Sequence, residues 1–438
     1  MFKYYVYLGL RSLRRNVALT ALAIIVIGVG TGASMSMLTI MHAASGDPIP
    51  QKSTQLFVPQ IDNFGPQPGS LPHGEDQLPT ALTYTDAIAL KRAGGAFPQA
   101  AMYPTTLTIS VPGTSALPLQ GQALATDSSF FPMFDVRFRY GGGWNRSDDD
   151  AHAPMIVLSR AFNDRLFGGS NSVGRNLMVN ARQYRIVGVI GSWQPSPHFY
   201  VLGANSYGSA DQLFVPFTRA IDDQIKTSGS LNCDRRGPGS GWSSLLNSNC
   251  VWIHLWTELP TTSRMTQYRA FLQNYASDQR RQGRFNWVPR VALRNVTQWL
   301  AYNQVVPNSL RTLTNISFAI LAVCVFNASG LMLAKFMADT AAIGVRRALG
   351  ATRSEMLTQC LVEAWVIGSA GGVVGIALTQ LGLIGCRGAL DQDLSGLTQL
   401  HTSEVAVALA VAIGATLVAG LYPTLRAAHV QPAALLKL

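Results

Sequence analysis

Residues 342–357, AIGVRRALGATRSEML, form a short basic segment between two long apolar runs. The flanking runs, 312–334 and 364–386, are each about as long as the 20 residues that a helix needs to cross a bilayer. A similar run covers 17–41, and a shorter one covers 405–422. We therefore predict a membrane protein with four transmembrane helices, in which the basic segment joins the second helix to the third.

The composition agrees with a membrane protein that carries a large water-soluble part. Hydrophobic residues make up 48% of the 438 residues and charged residues only 13%, whereas soluble domains have about 25% charged residues. The net charge of +11 would suit nucleic-acid binding. No basic patch interleaves with aromatic residues, however, so we expect no nucleic-acid partner.

The positions of the basic residues predict the orientation of the chain. Lysine and arginine concentrate on the cytoplasmic side of membrane helices. They cluster before the first run and between the second and third runs, as Lys3, Arg11, Arg14, Arg15, Lys335, Arg346, Arg347 and Arg353. We therefore place both termini in the cytoplasm and residues 43–311 outside. The first run could also be a signal peptide, but its apolar core exceeds the usual 7–15 residues, which favours an uncleaved anchor.

The outside segment has the pattern of an α+β domain. A strand, helix and strand pattern occurs near its start, at 55–111, and again near its end, at 250–296. We predict two βαβ-like units that pack side by side and flank a mostly β middle part at 120–225. Within that part, 154–191 predicts a strand, a helix and a hairpin. Trp299 and Tyr302, just before the second run, are expected to anchor at the membrane interface.

Two cysteines of this segment, Cys233 and Cys250, are predicted to form a disulfide. They lie in a stretch rich in glycine, serine and asparagine, and an extracytoplasmic compartment is oxidising. The alternative is a pair of free thiols.

The sequence gives no sign of a catalytic or metal site. GSNSVGRN at 169–176 approaches a phosphate-binding loop, but Arg175 and Asn176 replace its lysine and its serine or threonine, so a turn is expected. The acidic stretch SDDD at 147–150 could bind calcium, although a solvated loop is favoured. The histidines are scattered and no H-E-x-x-H or G-x-S-x-G motif occurs. We predict a non-enzymatic chain without a metal or cofactor of its own.

The basic segment itself predicts a helix that stops and restarts. The second apolar helix should continue past Lys335, and Gly350 stands where a left-handed residue would end it. TRSE then has the pattern of a capping box, with Thr352 as N-cap and Glu355 three residues later. Two functions fit this segment equally well, namely anchoring to lipid headgroups and rigid contact with a cytoplasmic partner.

The same residues carry a resemblance to a known family. IGVRRALGATRSEML resembles the signature of the FtsX-like permeases, the MacB type of ABC transporter, whose pattern is R-E-I-G-x-R-R-A-L-G-A. Ala341 and Ala342 replace its Arg-Glu pair. LGLRSLRRN at 8–16 resembles the family's amphipathic N-terminal helix, and 419–438 resembles its C-terminal end. FFPMFDVRFRYGGGW and the residues 154–190 are similar to its extracytoplasmic core domain.

The resemblance implies a domain layout. Residues 1–42 would form the amphipathic helix and first span, and 43–311 a periplasmic core domain. This domain would have a Porter-like part made of the βαβ units, a Sabre-like middle at about 120–225 and an insertion at about 195–250. Residues 312–438 would form the permease domain with a coupling region at 335–358. The coupling residues would be Ile343, Gly344, Arg346, Arg347, Leu349, Gly350, Ala351, Thr352, Arg353 and Glu355.

The resemblance also implies a function. The chain would be a permease of a MacB-type (type VII) ABC transporter in the bacterial inner membrane, and a separate ATPase subunit would bind ATP and magnesium. Two permeases would pair, as a homodimer or as a heterodimer in which loss of the Arg-Glu pair marks the weaker half. Motion would reach the periplasmic domain by mechanotransmission, for efflux of peptides, toxins or drugs with a periplasmic adaptor and an outer-membrane channel. The alternatives are lipoprotein release and non-transporting regulation of a cell-wall hydrolase.

Overall fold

The computed structural model describes residues 16–65, 78–113, 117–202, 207, 211–233, 237, 239–306, 308–338, 350, 352–389 and 402–429. The chain forms two compact units. One combines Met1–Ser45 with Val306–Leu438, and the other is Gly46–Val305.

The described residues contain the following elements in chain order. The helices are α1 (Val17–Ser45), α2 (Tyr84–Ala93), α3 (Phe130–Met133), α4 (Arg146–Asp150), α5 (Arg160–Phe167), α6 (Phe217–Asp222), α7 (Trp242–Leu246), α8 (Thr262–Arg281), α9 (Val296–Tyr302), α10 (Asn308–Ala338), α11 (Arg353–Ala389) and α12 (Thr402–His429). The strands are β1 (Leu56–Ile61), β2 (Leu82–Thr83), β3 (Gln99–Ser110), β4 (Leu119–Thr126), β5 (Phe138–Gly141), β6 (Met155–Leu158), β7 (Asn176–Val179), β8 (Arg182–Ile190), β9 (Leu213–Pro216), β10 (Val251–Glu258) and β11 (Val291–Asn295).

The first unit is a bundle of long apolar helices. Within the described ranges, α1, α10 and α11 are long and apolar enough to cross a membrane, whereas the apolar part of α12, Val405–Leu421, is shorter. The first three predicted spans thus fall on such helices. The third lies within α11, which begins at Arg353, directly after the predicted N-cap Thr352, and runs without interruption through the apolar run.

The second unit is built on one mixed sheet. Its strands follow the order β11-β1-β10-β3-β4-β9-β6-β8-β5, while β2 pairs with β10, and β7 pairs with both β3 and β8. Most neighbours are antiparallel, but β4 pairs with β9 and β6 with β8 in parallel. The sheet and its helices confirm the α+β content predicted for this part of the chain.

The two predicted βαβ units, β1-α2-β3 and β10-α8-β11, interleave in this sheet. β1 is antiparallel to both β10 and β11, and β10 is antiparallel to β3. The parallel strands β1 and β3 therefore have β10 of the other unit between them. Likewise, the parallel strands β10 and β11 have β1 between them. The two units do pack side by side, as predicted, and neither forms its part of the sheet alone.

The middle part of the unit contains the predicted strand, helix and hairpin. α5 begins at the N-cap Ser159, whose hydroxyl accepts from the Phe162 N–H. β7 and β8 form the hairpin, and its two turn residues, Asn180 and Ala181, have φ values of 46° and 67°. Two consecutive left-handed residues give the turn a twist that matches the flanking strands. The predicted turn at 169–176 links α5 to this hairpin.

Aromatic side chains dominate one of the two main apolar clusters of the unit. Phe199 and Tyr200 have at most 1% of their surface exposed and pack there with Phe130, Trp256 and Trp299. The indole N–H of Trp256 donates to the Tyr200 carbonyl at 2.9 Å, and that of Trp299 donates to the Phe199 carbonyl at 3.2 Å. The stretch 195–250 thus supplies core residues.

Several local predictions for this unit were wrong. Trp299 is 1% exposed and lies in the cluster just described instead of at a membrane interface. Its neighbours form α9, which was not predicted. SDDD lies in α4, where the backbone N–H of Asn145 donates to the Asp148 side chain at 2.9 Å in a capping box. The strand expected from 285 starts only at Val291.

Cys233 and Cys250 are joined by a disulfide in this structure. Cys250 is 1% exposed and belongs to the other main apolar cluster of the unit, which also contains Tyr103 and Trp252, and Cys233 packs against that cluster. Asn232 and Val251, the outer neighbours of the two cysteines, exchange both backbone hydrogen bonds.

We expect reduction of the disulfide to lower the free energy of unfolding of the Gly46–Val305 unit by up to about 3 kcal/mol, the value for closing a loop of this size. Residues 233–250 should exchange amide hydrogens faster, while α10 and α11 keep their protection. Hydrogen exchange with and without reductant measures both effects. The Cys233→Ser/Cys250→Ser variant should match the reduced protein, and unchanged exchange in 233–250 would contradict the prediction.

Candidate functional site

The predicted coupling region, 335–358, is described only near its two ends, at 335–338, 350 and 352–358. Ile343, Gly344, Arg346, Arg347, Leu349 and Ala351 lie outside the described residues, and Arg353 is described by its backbone alone. Gly350 has a φ of 102°, a conformation that residues with a side chain rarely adopt. This agrees with its prediction as a left-handed residue.

Thr352 and Glu355 form a capping box at the start of α11. The Thr352 N–H donates to Glu355 Oε2 at 2.9 Å, and the Glu355 N–H donates to Thr352 Oγ1 at 3.3 Å. Both bonds satisfy N–H groups that a helix start leaves without partners. The sequence predicted this pair, and it fixes the residue at which α11 begins.

The sequence did not predict one ion pair, between Lys335 in the coupling region and Glu363 just after it. Lys335 of α10 contacts Glu363 of α11, and the two side chains are only 3% and 5% exposed. They lie beside an apolar cluster that contains Met332, Cys360 and Ala364. Lys335 had been counted only as a basic flanking residue. The sequence does contain a signal for this pair, because Lys335 directly follows one apolar run and Glu363 directly precedes the next.

Glycines bring α1 and α11 into close contact. Gly28 and Gly32 of α1 lie against residues 371–379 of α11, and the Thr379 hydroxyl donates to the Gly32 carbonyl at 3.3 Å. A side chain on Gly375 would place its Cβ 2.3 Å from Thr31 Oγ1. Small residues spaced four apart are a common signature of close packing between membrane helices. The spacing was visible in the sequence but was not used.

The Gly46–Val305 unit has a polar cleft of about 690 Å³ between α2, α4 and α6. Lys91 Nζ pairs with Asp127 Oδ1 at 2.6 Å, and His152 pairs with Asp222. Asp149 accepts from the Trp144 indole at 2.8 Å, while burial and the nearby Asp127 raise its pKa. Of the two pairs, the first joins α2 to the end of β4, and the second joins the end of α4 to the end of α6.

The described residues form no metal centre. Among the described residues, no group of three or more His, Cys, Asp or Glu side chains could hold a metal ion.

Two histidines of this unit should make its stability depend on pH. Burial lowers the pKa of His198 and of His254 to about 4. The unfolded chain protonates both near pH 6.5, so the stability that they contribute is present above pH 6.5 and is lost as the pH falls toward 4. Burial raises the pKa of Asp211 to about 6, which acts in the opposite direction and stabilises the fold as the pH falls through 6.

We therefore expect His254→Gln to lose less stability than the parent chain between pH 7.5 and 5. A pKa lowered from 6.5 to about 4 corresponds to roughly 2 kcal/mol over this pH range, so the difference in unfolding temperature should be about 4–8 °C in a unit of this size. Tryptophan fluorescence during heating measures it, with the exposed His42→Gln as control. Equal losses in the variant and the parent chain would contradict the assignment.

Comparison with known families identifies both parts of the chain. The family described as "MacB-like periplasmic core domain" matches residues 20–268, and "FtsX-like permease C-terminal" matches residues 315–432. The macrolide export ATP-binding/permease protein MacB of Marinobacter nauticus is 25% identical over 97% of this chain and 59% of its own length. The Bacillus subtilis protein named uncharacterized ABC transporter permease YvrN is 23% identical over 71% of this chain and 68% of its own.

One solved structure aligns with part of the chain. The periplasmic region of MacB from Actinobacillus actinomycetemcomitans covers 59% of this chain and 96% of its own, with 14% identity and a TM-score of 0.35. The chain spans about three fifths of the length of the MacB relatives that it matches. The family assignment rests on the sequence matches, of which the first covers more than half of the chain. The chain belongs to the FtsX-like, MacB-type family of ABC transporter permeases.

Proposed function

We propose that the chain is the permease subunit of a MacB-type ABC transporter and works with an ATPase on a separate subunit that binds ATP and magnesium. In this proposal the chain crosses the bacterial inner membrane four times, with α12 as the fourth span. Both termini are cytoplasmic, and the Gly46–Val305 unit is periplasmic. ATP hydrolysis moves this unit through the helices, and substrate is not carried between them.

The observation that carries the proposal is the order of the two family matches on this chain. The core-domain family covers 20–268, and the permease family covers 315–432. The α+β unit lies in sequence between the long apolar helices α1 and α10. A large domain inserted between two such helices suits a transporter that acts on its substrate outside the membrane.

The start of α11 supports a coupling role for residues 335–358. A lever must keep its shape under load, and the capping box at Thr352 fixes the helix start by two hydrogen bonds. Gly350, two residues earlier, needs a backbone conformation that favours glycine. We propose that the basic residues 343–353 meet the ATPase, in preference to simple anchoring on lipid headgroups.

Efflux of peptides, toxins or drugs is the function we favour, with a second permease, a periplasmic adaptor and an outer-membrane channel as partners. Relatives that match nearly the whole chain are named for macrolide export. Lipoprotein release would need an apolar groove for acyl chains, and the cleft described above is lined largely by charged and polar groups. Regulation of a cell-wall hydrolase is a further alternative, to be distinguished by the proteins that co-purify.

The first test is a pull-down of the tagged full chain in mild detergent, followed by mass spectrometry and an ATPase assay. We expect an ABC-type ATPase in the same fraction and ATP hydrolysis that depends on it. A co-purifying adaptor would support export. A chain that purifies alone or with a cell-wall hydrolase, without ATP hydrolysis, would overturn the proposal.

Gly350→Pro should uncouple ATP hydrolysis from transport. Proline locks φ near −65°, whereas Gly350 has a φ of 102°, so the turn before α11 must change. We expect the amount of substrate transported per ATP to fall about tenfold or more, while the chain still inserts into the membrane. A tenfold loss requires a change in free energy of only about 1.4 kcal/mol. Leu349→Asp should act similarly.

The control for this pair is Gly330→Ala, in the middle of α10. A Cβ at Gly330 meets no atom within 4 Å, so both transport and insertion should stay normal. Normal coupling in Gly350→Pro and Leu349→Asp would exclude a lever at this segment.

A further inference from the structure

The Lys335–Glu363 ion pair lies in a setting that ordinarily excludes charge. Over the whole residue, only 2% of the surface of Lys335 and 4% of that of Glu363 is exposed to solvent. The adjacent apolar cluster draws side chains from α1, α10, α11 and α12, among them Ala23, Phe336, Ile367 and Leu417. Ionisable groups within membrane helices are rare, and they mark functional positions by default. A purely structural contact here could be made more cheaply by two apolar side chains.

The pair joins α10 and α11, the two helices whose adjoining ends lie in the coupling region 335–358. Lys335 lies one turn before the described end of α10 at Ala338, and Glu363 lies in the third turn of α11, which starts at Arg353. The capping box fixes the start of α11, and the ion pair fixes α11 against α10. Apolar contacts tolerate sliding, whereas two opposite charges in an apolar surrounding have one preferred register.

We propose that Lys335 and Glu363 are positioning residues that make the adjoining ends of α10 and α11 move as one body. A displacement of the segment between them then reaches both helices together. The restraint itself follows from the contact and its burial, and its consequence for ATP coupling rests on the proposed function.

Three variants distinguish a restraint by the ion pair from simple filling of space between the helices. Lys335→Met/Glu363→Leu keeps an apolar fill without charge, and Lys335→Glu/Glu363→Lys reverses the pair. The single variant Lys335→Met removes the ion pair and keeps the buried Glu363 carboxylate. Thermal unfolding in detergent should rank the single variant below the parent chain and leave the apolar double variant as stable as the parent.

The decisive measurement is the distance distribution between spin labels on α10 and α11 in the full chain. Labels at Met337→Cys and Thr358→Cys lie on side chains that are exposed, in a background whose free cysteines are replaced by alanine, because a serine at the buried Cys360 would add a hydroxyl beside the ion pair. We expect a narrow distribution in the parent and the charge-reversed variant. In the apolar double variant it should broaden about twofold, as sliding between packed helices permits.

The same variants in lipid nanodiscs with the co-purified ATPase then test the consequence. We expect stimulation of ATP hydrolysis by the permease to fall about tenfold in the apolar double variant and to recover in the charge-reversed one, a coupling change of ordinary size. A narrow label distribution in a stable apolar double variant would overturn the restraint. A parent complex without any stimulation would refute the proposed function while the label distances still decide the restraint.

Discussion

Replacement of Asp86 by alanine is expected to lower the free energy of unfolding of the Gly46–Val305 unit by about 3–5 kcal/mol, the cost of removing one partner from a buried ion pair. Asp86 is fully buried and accepts hydrogen bonds from Thr83 at 2.7 Å, Asn63 at 2.5 Å and Tyr275 at 2.7 Å, and it pairs with Arg284. These partners come from both interleaved βαβ units. Loss of one carboxylate therefore removes the shared acceptor of four side-chain donors at the same time.

Two further variants make this prediction specific. Asp148 is the third residue of α4 and lies in an exposed capping box, as Asp86 is the third residue of α2 after its N-cap Thr83. Asp148→Ala should cost about 1 kcal/mol, as loss of a helix cap does. Asp86→Ala/Arg284→Met removes both charges and should recover part of the loss. Denaturant unfolding followed by tryptophan fluorescence measures all three. An Asp86→Ala chain as stable as Asp148→Ala would show that the network contributes little.

The second large effect is expected for Gly375→Val in α11. The new Cβ would lie 2.3 Å from Thr31 Oγ1 and 3.3 Å from the Gly28 carbonyl oxygen, so α1 and α11 must move apart. Thr31 is 1% exposed, and its hydroxyl donates to the Ile27 carbonyl at 2.7 Å, which leaves it little freedom to rotate away. Overpacking costs about 1–3 kcal/mol where a neighbour can shift, and displacement of two packed helices should exceed this.

Gly385→Val provides the matched control in the same helix. A Cβ at Gly385 meets no atom within 4 Å, so this variant should unfold at the parent temperature. We expect Gly375→Val to unfold and aggregate at a clearly lower temperature in detergent, and Thr31→Ala to restore part of the difference. Equal unfolding temperatures for the two valine variants would show that α1 and α11 are not held together at this contact.

Local patterns predicted much of the fold, because short-range chemistry determines those features. The long apolar runs marked α1, α10 and α11, and the Thr352 and Glu355 spacing marked the start of α11. For α2 the sequence offers Thr83 or Thr85 as N-cap and Gly94 as the helix end; the structure has Thr83 as the N-cap and Gly94 as the C-cap. The hairpin of β7 and β8 followed from two alternating runs separated by a short polar turn.

Long-range contacts were beyond the same reasoning. Lys335 and Glu363 lie on different helices, and neither residue identifies its partner by spacing. Trp299 was assigned to a membrane interface because it precedes an apolar run, yet it packs against Phe199, a residue a hundred positions earlier. The interleaving of the two βαβ units is equally non-local, since β1 lies between strands that the chain forms last.

That strand order has a kinetic consequence for biosynthesis. β1 is fully buried, and its two neighbours, β10 and β11, belong to the last part of the unit to be made. Sheets built from such distant strands fold slowly, and an unpaired strand invites pairing with another chain. Pro59 lies in this strand opposite Leu293 of β11, beyond the two residues that pair with β10. A proline inside an apolar strand hinders intermolecular pairing, so the strand LFVPQI should aggregate less before its partner strands have been synthesised.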